Sequence, residues 1–212
     1  MIFALLPVKD PRRAKQRLEG VLAPAKREAL ARAMFEEVLE ALCAARGIDR
    51  ILVVTSDPLT CRRARERGAW ILEEACQLSH SQSADAAARR AMELGAATVL
   101  LLPIDVPLVT PAEIEGLLHA PRPGLLVVPS ADGTGTNALV RTPPDVIVSC
   151  FGRASFSSHL EQARVRGIPA RVARPPGLLF DVDTPEDLAE LQARAPHCRA
   201  ARAVVGPWAS AL

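Results

Sequence analysis

Three aspartates carry the strongest chemical signal in this chain. Asp105 stands in LLPIDVPL, directly after a very apolar run, and Asp181 and Asp183 stand in FDVDTPEDL. In an extended segment alternate side chains share a face, so Asp181 and Asp183 point one way while Phe180 and Val182 point the other. Carboxylates gathered like this suit a hard divalent cation such as Mg2+, which takes oxygen ligands from one or two acids and fills its shell with phosphates and water. Thr184, Pro185 and Asp187 read as an N-cap, a first-turn proline and an N3 acid, so the second half of the motif is a helix start. Asp181 and Asp183 precede that cap and are not explained by it.

The complementary charge lies near the start of the chain. VKDPRRAKQRL carries Lys9, Arg12, Arg13, Lys15 and Arg17, five cations within nine residues at the end of an apolar run. That density makes the loop a candidate triphosphate cradle, although a solvated basic loop would have the same composition. Only three of the 26 basic residues are Lys, and two of them, Lys9 and Lys15, fall in this loop, where a compact ammonium serves better than a guanidinium. The loop lacks the GxxxxGK[ST] pattern of a Walker A motif. The chain has no GxGxxG fingerprint, which argues against a nicotinamide oxidoreductase.

Two further segments suggest a second anion site. SADGTGTNAL is a turn of small polar residues, and FGRASFSSH puts Gly152, Ser155, Ser157 and Ser158 at a helix N-terminus, where backbone N–H groups favour a phosphate or carboxylate. Ordinary turn and cap chemistry would use the same residues. The four His, at 80, 119, 159 and 197, form no metal or triad array; His159, one turn into the helix after the serines, is within reach of the second anion site, although a capping or surface role is the ordinary reading. Chemistry on a phosphate monoester needs no general base, because its second pKa of about 6 leaves it mostly ionised near neutrality.

Alternating strand and helix patterns position these residues, and they predict a Rossmann-like α/β fold with a mostly parallel sheet and helices on both faces. Strands are expected at 2–8, 48–55, 70–72, 98–102, 125–129, 137–141 and 178–183. Helices are expected at 25–46, 62–67, 84–95, 111–119, 154–166 and 185–194, with Thr110 capping the fourth and Gly95 stopping the third. Ligands of open α/β sheets sit at the carboxyl ends of strands, where all three aspartates are expected. With no internal repeat or linker, residues 1–195 read as one domain and 196–212 as an Ala/Arg-rich C-terminal tail.

Composition bounds the rest. A chain of 212 residues, 49% apolar and 24% charged, is a soluble globular protein with room for one full core. Its formal net charge of +2 gives no general basic surface for nucleic acid. Five Cys without a CxxC pair or zinc-like spacing read as small core residues in a reducing compartment. The N-terminal MIFALLPVK run is too short for a signal peptide and nothing later reaches membrane-spanning length, so a cytoplasmic location is expected.

With these segments in order, the chain resembles the phospholactate or phosphoenolpyruvate guanylyltransferases of coenzyme F(420) biosynthesis. PVK…AKQRL, LPIDVPL, DGTGTNAL, FGRASFSSH and FDVDTPEDL carry the resemblance, from the first strand to about residue 190. It implies the GT-A-like, Rossmann-type fold of the molybdenum-cofactor guanylyltransferases. It further implies that GMP passes from GTP to a small phosphorylated three-carbon acid (2-phospho-L-lactate, phosphoenolpyruvate or 3-phosphoglycerate) with release of pyrophosphate. On this resemblance Asp105, Asp181 and Asp183 hold Mg2+; the charge of the basic loop then puts Lys9, Lys15 and Arg17 against the triphosphate, with Lys15, Arg17 and Asp105 expected to act in catalysis. Thr136, Gly152 and Ser155 hold the acceptor's carboxylate and phosphate. Two positions depart from the family: Gln16, where Ser or Thr is usual, and Ala84-Asp85, where a Leu-Asn pair is common in a nucleotide-facing region. The departure leaves Asp85 as a candidate nucleotide contact. The expected partners are therefore GTP and the acid, with no nucleic acid or membrane, and a protein that receives the product; oligomeric state is not readable. A molybdenum-cofactor nucleotidyltransferase is the sibling alternative, but its first loop resembles LAGGxSxRMGxxK and LLPVKDPRRAK at 5–15 contains no Gly. A non-catalytic nucleotide-binding domain would not need the three carboxylates.

Overall fold

Apolar runs too short for helices build the sheet. The structure is a computed structural model and describes residues 1–74, 79–120 and 122–205. The strands are β1 (Ile2–Pro7), β2 (Arg50–Thr55), β3 (Trp70–Glu73), β4 (Thr98–Leu101), β5 (Gly124–Pro129), β6 (Thr136–Thr142) and β7 (Ala170–Val172). They form one sheet in the order β3-β2-β1-β4-β6-β5-β7. Parallel pairing joins β3, β2, β1 and β4, and also β5 to β7; only β6 runs antiparallel, to β4 and to β5. The expected mostly parallel α/β sheet is what the chain forms.

The helices are α1 (Pro24–Ala44), α2 (Pro58–Glu66), α3 (His80–Glu93), α4 (Pro111–Leu117), α5 (Ser155–Val165), α6 (Pro176–Leu179), α7 (Pro185–Arg194) and α8 (Arg199–Ala203). Period-two alternation along the strands divides the core between two faces. Ala4, Leu6, Val53, Leu100 and Val140 pack with α1 and α4, while Phe3, Leu5, Leu52, Val99 and Leu139 pack with α3 and α5. A third cluster joins α1 to the end of the chain through Leu30, Met34, Phe180, Val182, Leu188 and Ala201. Capping boxes at Thr110 with Glu113 and at Thr184 with Asp187 start α4 and α7 where the sequence placed them. Among the described residues no helix is long and apolar enough to cross a membrane.

Several expectations are corrected. Residues 178–183 are not a core strand: α6 takes up 176–179, and 180–183 is extended without a ladder. Its alternation is satisfied by packing, since Phe180 and Val182 are buried in the third cluster. The last strand is instead β7, which pairs only with β5 and is exposed along its length. A box formed by Ser79 and Gln82 starts α3 at His80, four residues before the expected 84. Residues 198–204, within the segment read as a tail, form α8 and its caps, with Ala200, Ala201 and Val204 buried; residues 206–212 lie outside the described residues. Of the four described cysteines only Cys61 is buried and Cys43 is exposed; Cys76 lies outside the described residues.

Candidate active site

The sheet order changes direction at β1. From β1 the chain passes outward to β2 and β3 on one side, and β4 pairs on the other. Adjacent connections leave in opposite directions there, which opens a crevice beyond the carboxyl ends of β1 and β4. The basic loop follows β1 and Asp105 follows β4, so both flank this switch point. Because β6 is antiparallel, its first residues, Thr136 and Asn137, begin at the same edge.

Asp181 and Asp183 reach this edge by a route that sequence periodicity alone did not supply. The Val182 amide donates to the Asp105 carbonyl at 2.9 Å. The Asn137 amide nitrogen donates to Leu178 O at 2.9 Å and to Asp181 Oδ1 at 3.0 Å. Gly177 permits the close approach, because a Cβ there would lie 2.4 Å from Leu108 O, and its amide donates to Glu113 Oε1. Packing below and these few bonds above turn both carboxylates toward Asp105.

Lys15 lies among them. Its Nζ is 2.7 Å from Asp105 Oδ1, 2.9 Å from Asp183 Oδ1 and 2.6 Å from Val182 O, and its side chain is only 4% exposed. Burial alone would push this ammonium down, but the charges of Asp105 and Asp183 and their hydrogen bonds hold it above the usual lysine value. Lys15 itself adopts a left-handed backbone at φ +55°, a conformation that non-glycine residues adopt at a cost of about 1–2 kcal/mol. Asp181 is pushed above the usual carboxylate range, chiefly by burial and then by the charges of Asp183 and Asp105, with Asn137 opposing. Two carboxylates thus hold one buried ammonium, Asp181 stands close enough to feel the charge of both, and exposed Arg17 lies 3.6 Å from Asp183. Oxygen donors around a cation, with negative charge in excess, match the preference of a hard dication. As they stand, Asp105 and Asp183 hold Lys15 and Asp181 holds Asn137; among the described residues no three His, Cys, Asp or Glu side chains form a ready metal cluster.

The other loop cations differ in position. Lys9 Nζ lies 2.5 Å from Ser83 Oγ and 3.4 Å from Glu74 Oε2, on the α3 side. Arg12 is paired with Asp10, while Arg13 and Arg17 extend into solvent. The loop is therefore not a uniform cradle: Lys9 and Lys15 face inward and Arg17 stands at the rim.

Thr136 and Ser155 lie 3.1 Å apart, where β6 starts beside α5, and exposed Gly152 precedes Ser155 at φ +120°. The turn between β5 and β6 is not an open nest. Asp132 accepts from Ser130 Oγ, Thr134 N and Thr134 Oγ1, contacts that hold its carboxyl down at about 2, so these donors serve the turn itself. His159 is no surface residue. It is fully buried, with Nδ1 3.1 Å from Thr136 Oγ1 and Nε2 accepting from the Cys150 amide at 3.0 Å. The i,i+4 spacing of Ser155 and His159 puts both on one helix face and was the available signal.

Asp85 also stands otherwise than expected. Its carboxylate accepts from Ser149 N, Ser149 Oγ and the Arg141 guanidinium at 2.9 Å, so its partners are internal. Arg141 is 1% exposed, and its Nε and Nη2 find no partner among the described residues. Sequence reading passed over this arginine, although Leu139 and Arg141 share a strand face that points into the core. The pair anchors residues 147–149, immediately before the Gly152 segment.

Comparison with known proteins identifies the family of the chain and supports its fold. Residues 2–200 match the family model described as "Guanylyl transferase CofC like". A phosphoenolpyruvate guanylyltransferase of Rubrobacter xylanophilus is 42% identical over 194 residues, covering 91% of this chain and 94% of that one. A 2-phospho-L-lactate guanylyltransferase of Methanothermobacter thermautotrophicus is 37% identical over 192 residues, covering 89% and 82%. Among solved structures, a protein from Desulfovibrio desulfuricans G20 described as a nucleotide-diphospho-sugar transferase superposes with a TM-score of 0.74 at 18% identity, covering 95% of this chain and 93% of that one, which supports the fold.

Proposed function

Since this chain belongs to the CofC-like guanylyl transferase family, we propose that it transfers GMP from GTP to a small phosphorylated three-carbon acid and releases pyrophosphate, a step of coenzyme F(420) assembly. The observation that carries this reading is the gathering of three aspartates at the switch point between β1 and β4, two of them, Asp105 and Asp183, holding Lys15 and the third, Asp181, feeling the charge of both. Asp105, Asp181 and Asp183 would hold a divalent cation, Mg2+ in the cell, whose charge offsets the repulsion between two phosphates.

The remaining work falls to the chain's own side chains. Lys15 and Arg17 stabilise the triphosphate as negative charge moves to the departing pyrophosphate, and Lys9 holds its inner side. Thr136, Gly152 and Ser155 orient the acceptor so that a phosphate oxygen lies in line with the α-phosphorus. That oxygen is already ionised near neutral pH, so no protein base takes a proton. Asp85 contributes by tying residues 147–149 to Arg141, which shapes the approach to Gly152.

Incubation with GTP, Mg2+ and phosphoenolpyruvate, 2-phospho-L-lactate or 3-phosphoglycerate in turn tests this reading. The expected result is a guanosine diphospho-acid identified by mass together with one pyrophosphate. Absence of product with all three acids overturns the acceptor class, and equal turnover with ATP removes guanine selectivity.

A further inference from the structure

Among the described residues at the acceptor end, His159 is a fully buried titratable side chain that the proposed chemistry does not use. Its hydrogen bonds define its protonation. The Cys150 amide can only donate, so Nε2, 3.0 Å away, must present a lone pair. A neutral imidazole then carries its single proton on Nδ1, which faces Thr136 Oγ1 at 3.1 Å and donates to it. The Ser155 hydroxyl donates to the same oxygen at 3.1 Å. A hydroxyl oxygen has two lone pairs, and here both are occupied. The only hydrogen-bonding capacity left to Thr136 is its own proton.

From this geometry we infer that His159 is a positioning residue that makes the Thr136 hydroxyl an obligate donor, set to receive an anionic oxygen of the acid. The inference rests on the reading that Thr136 and Ser155 hold the acceptor. A hydroxyl free to rotate would accept as readily as it donates, and would lose part of its selectivity for an anion. Held by two donors, it is pre-organised before the acid arrives. The ring is also steadied: Phe151 packs edge-on against it at 5.4 Å, and the Phe151 amide donates to Ser81 Oγ at 2.8 Å. Burial, aided by the charge of Arg141 and opposed by Asp85, holds His159 down at about 4, so the neutral form persists across the physiological range.

Two conservative substitutions separate the two ring nitrogens. In His159→Gln the Oε1 atom replaces the Nε2 acceptor for Cys150 but nothing donates to Thr136. In His159→Asn the amide nitrogen replaces the Nδ1 donor but the Cys150 contact is lost. With phosphoenolpyruvate, 2-phospho-L-lactate or 3-phosphoglycerate as acceptor, whichever turns over, His159→Gln should raise the acceptor KM about tenfold, as expected for one lost hydrogen bond at a pre-organised donor, with kcat and the GTP KM within about twofold. His159→Asn should raise it by no more than about threefold. Thr136→Val should match or exceed His159→Gln, and combining the two should add little, because both remove the same donor. Nitrogen chemical shifts of the imidazole should show a protonated Nδ1 and a bare Nε2. Equal effects of Gln and Asn, full additivity with Thr136→Val, or the opposite tautomer would overturn the role of His159. If Thr136→Val leaves the acceptor KM unchanged, it is the acceptor reading itself that fails. Circular dichroism and melting curves on each variant confirm that a folded protein is being compared.

Discussion

Asp105→Asn puts the carboxylate cluster under the most direct strain. The substitution keeps size and shape, so the packing after β4 is barely disturbed. It removes one negative charge 2.7 Å from Lys15 Nζ, a pair whose gross attraction is about 6 kcal/mol at an effective dielectric of about 20. Asp105 is 34% exposed, so solvent screens the pair, and the Asn oxygen still accepts from the ammonium; the net stability loss should be only about 1–2 kcal/mol. For a chain of this size that lowers Tm by roughly 3–6 °C. The rate should respond on another scale. Loss of one of three carboxylates for the dication removes a charge-stabilising contact made chiefly as the phosphates approach, worth about 4 kcal/mol or a thousandfold in kcat/KM. Melting curves and initial rates across a Mg2+ titration, on the same preparation, read both quantities. A rate within about tenfold of the parent at saturating Mg2+, beside a lowered Tm, would refute the metal role and leave Asp105 as a partner of Lys15 alone.

Three further outcomes follow from neighbouring contacts. Lys15→Ala should lose turnover yet bind Mn2+ more tightly than the parent without nucleotide, because the ammonium no longer competes for Asp105, Asp183 and Val182 O; calorimetric titration of the apo-protein reads this, and weaker binding would contradict it. Asp85→Asn should destabilise the fold by about 3 kcal/mol, since it leaves the buried Arg141 guanidinium without its counter-charge; a change below about 1 kcal/mol in urea melts would show that the pair is replaceable. The pH dependence of stability should carry a His159 signature. Its folded value of about 4 lies below the unfolded value of about 6.5, so the unfolded chain binds the extra proton between them. Its contribution is therefore constant above about pH 6.5 and turns destabilising as pH falls toward 4, by about 3 kcal/mol in all, and His159→Gln should flatten that slope in denaturant melts.

Features with a local physical cause were legible in the sequence. Apolar strand runs, the Thr110 and Thr184 caps and the position of Asp105 after β4 each depend on a few adjacent residues, and the structure has them where expected. What was misread depends on partners distant in the chain. The LLFDVD alternation looked like a strand, but Phe180 and Val182 are buried by α1, α7 and α8, and Leu178 by the first core cluster, rather than by a ladder. Ala170–Val172 has no apolar face because it lies exposed at the sheet edge, held by backbone pairing to β5. His159 read as a capping or surface residue because the type is polar, and its burial depends on Thr136 and Cys150, which together satisfy both ring nitrogens. Lys15 was placed toward the triphosphate on charge alone; its contact with Asp183 spans 168 residues, which no local pattern reports.

The bond from the Val182 amide to the Asp105 carbonyl also makes the site's stiffness measurable. Amides of β1 and β4 sit in a ladder and exchange with deuterium only when the sheet opens, whereas Val182 exchanges whenever residues 180–183 lift away from the loop after β4. That amide is a clock for the segment carrying two of the three carboxylates. Its protection should fall below that of the central strands in the free protein and rise toward theirs when nucleotide and dication are bound together, so one proton would report the assembly of the whole centre.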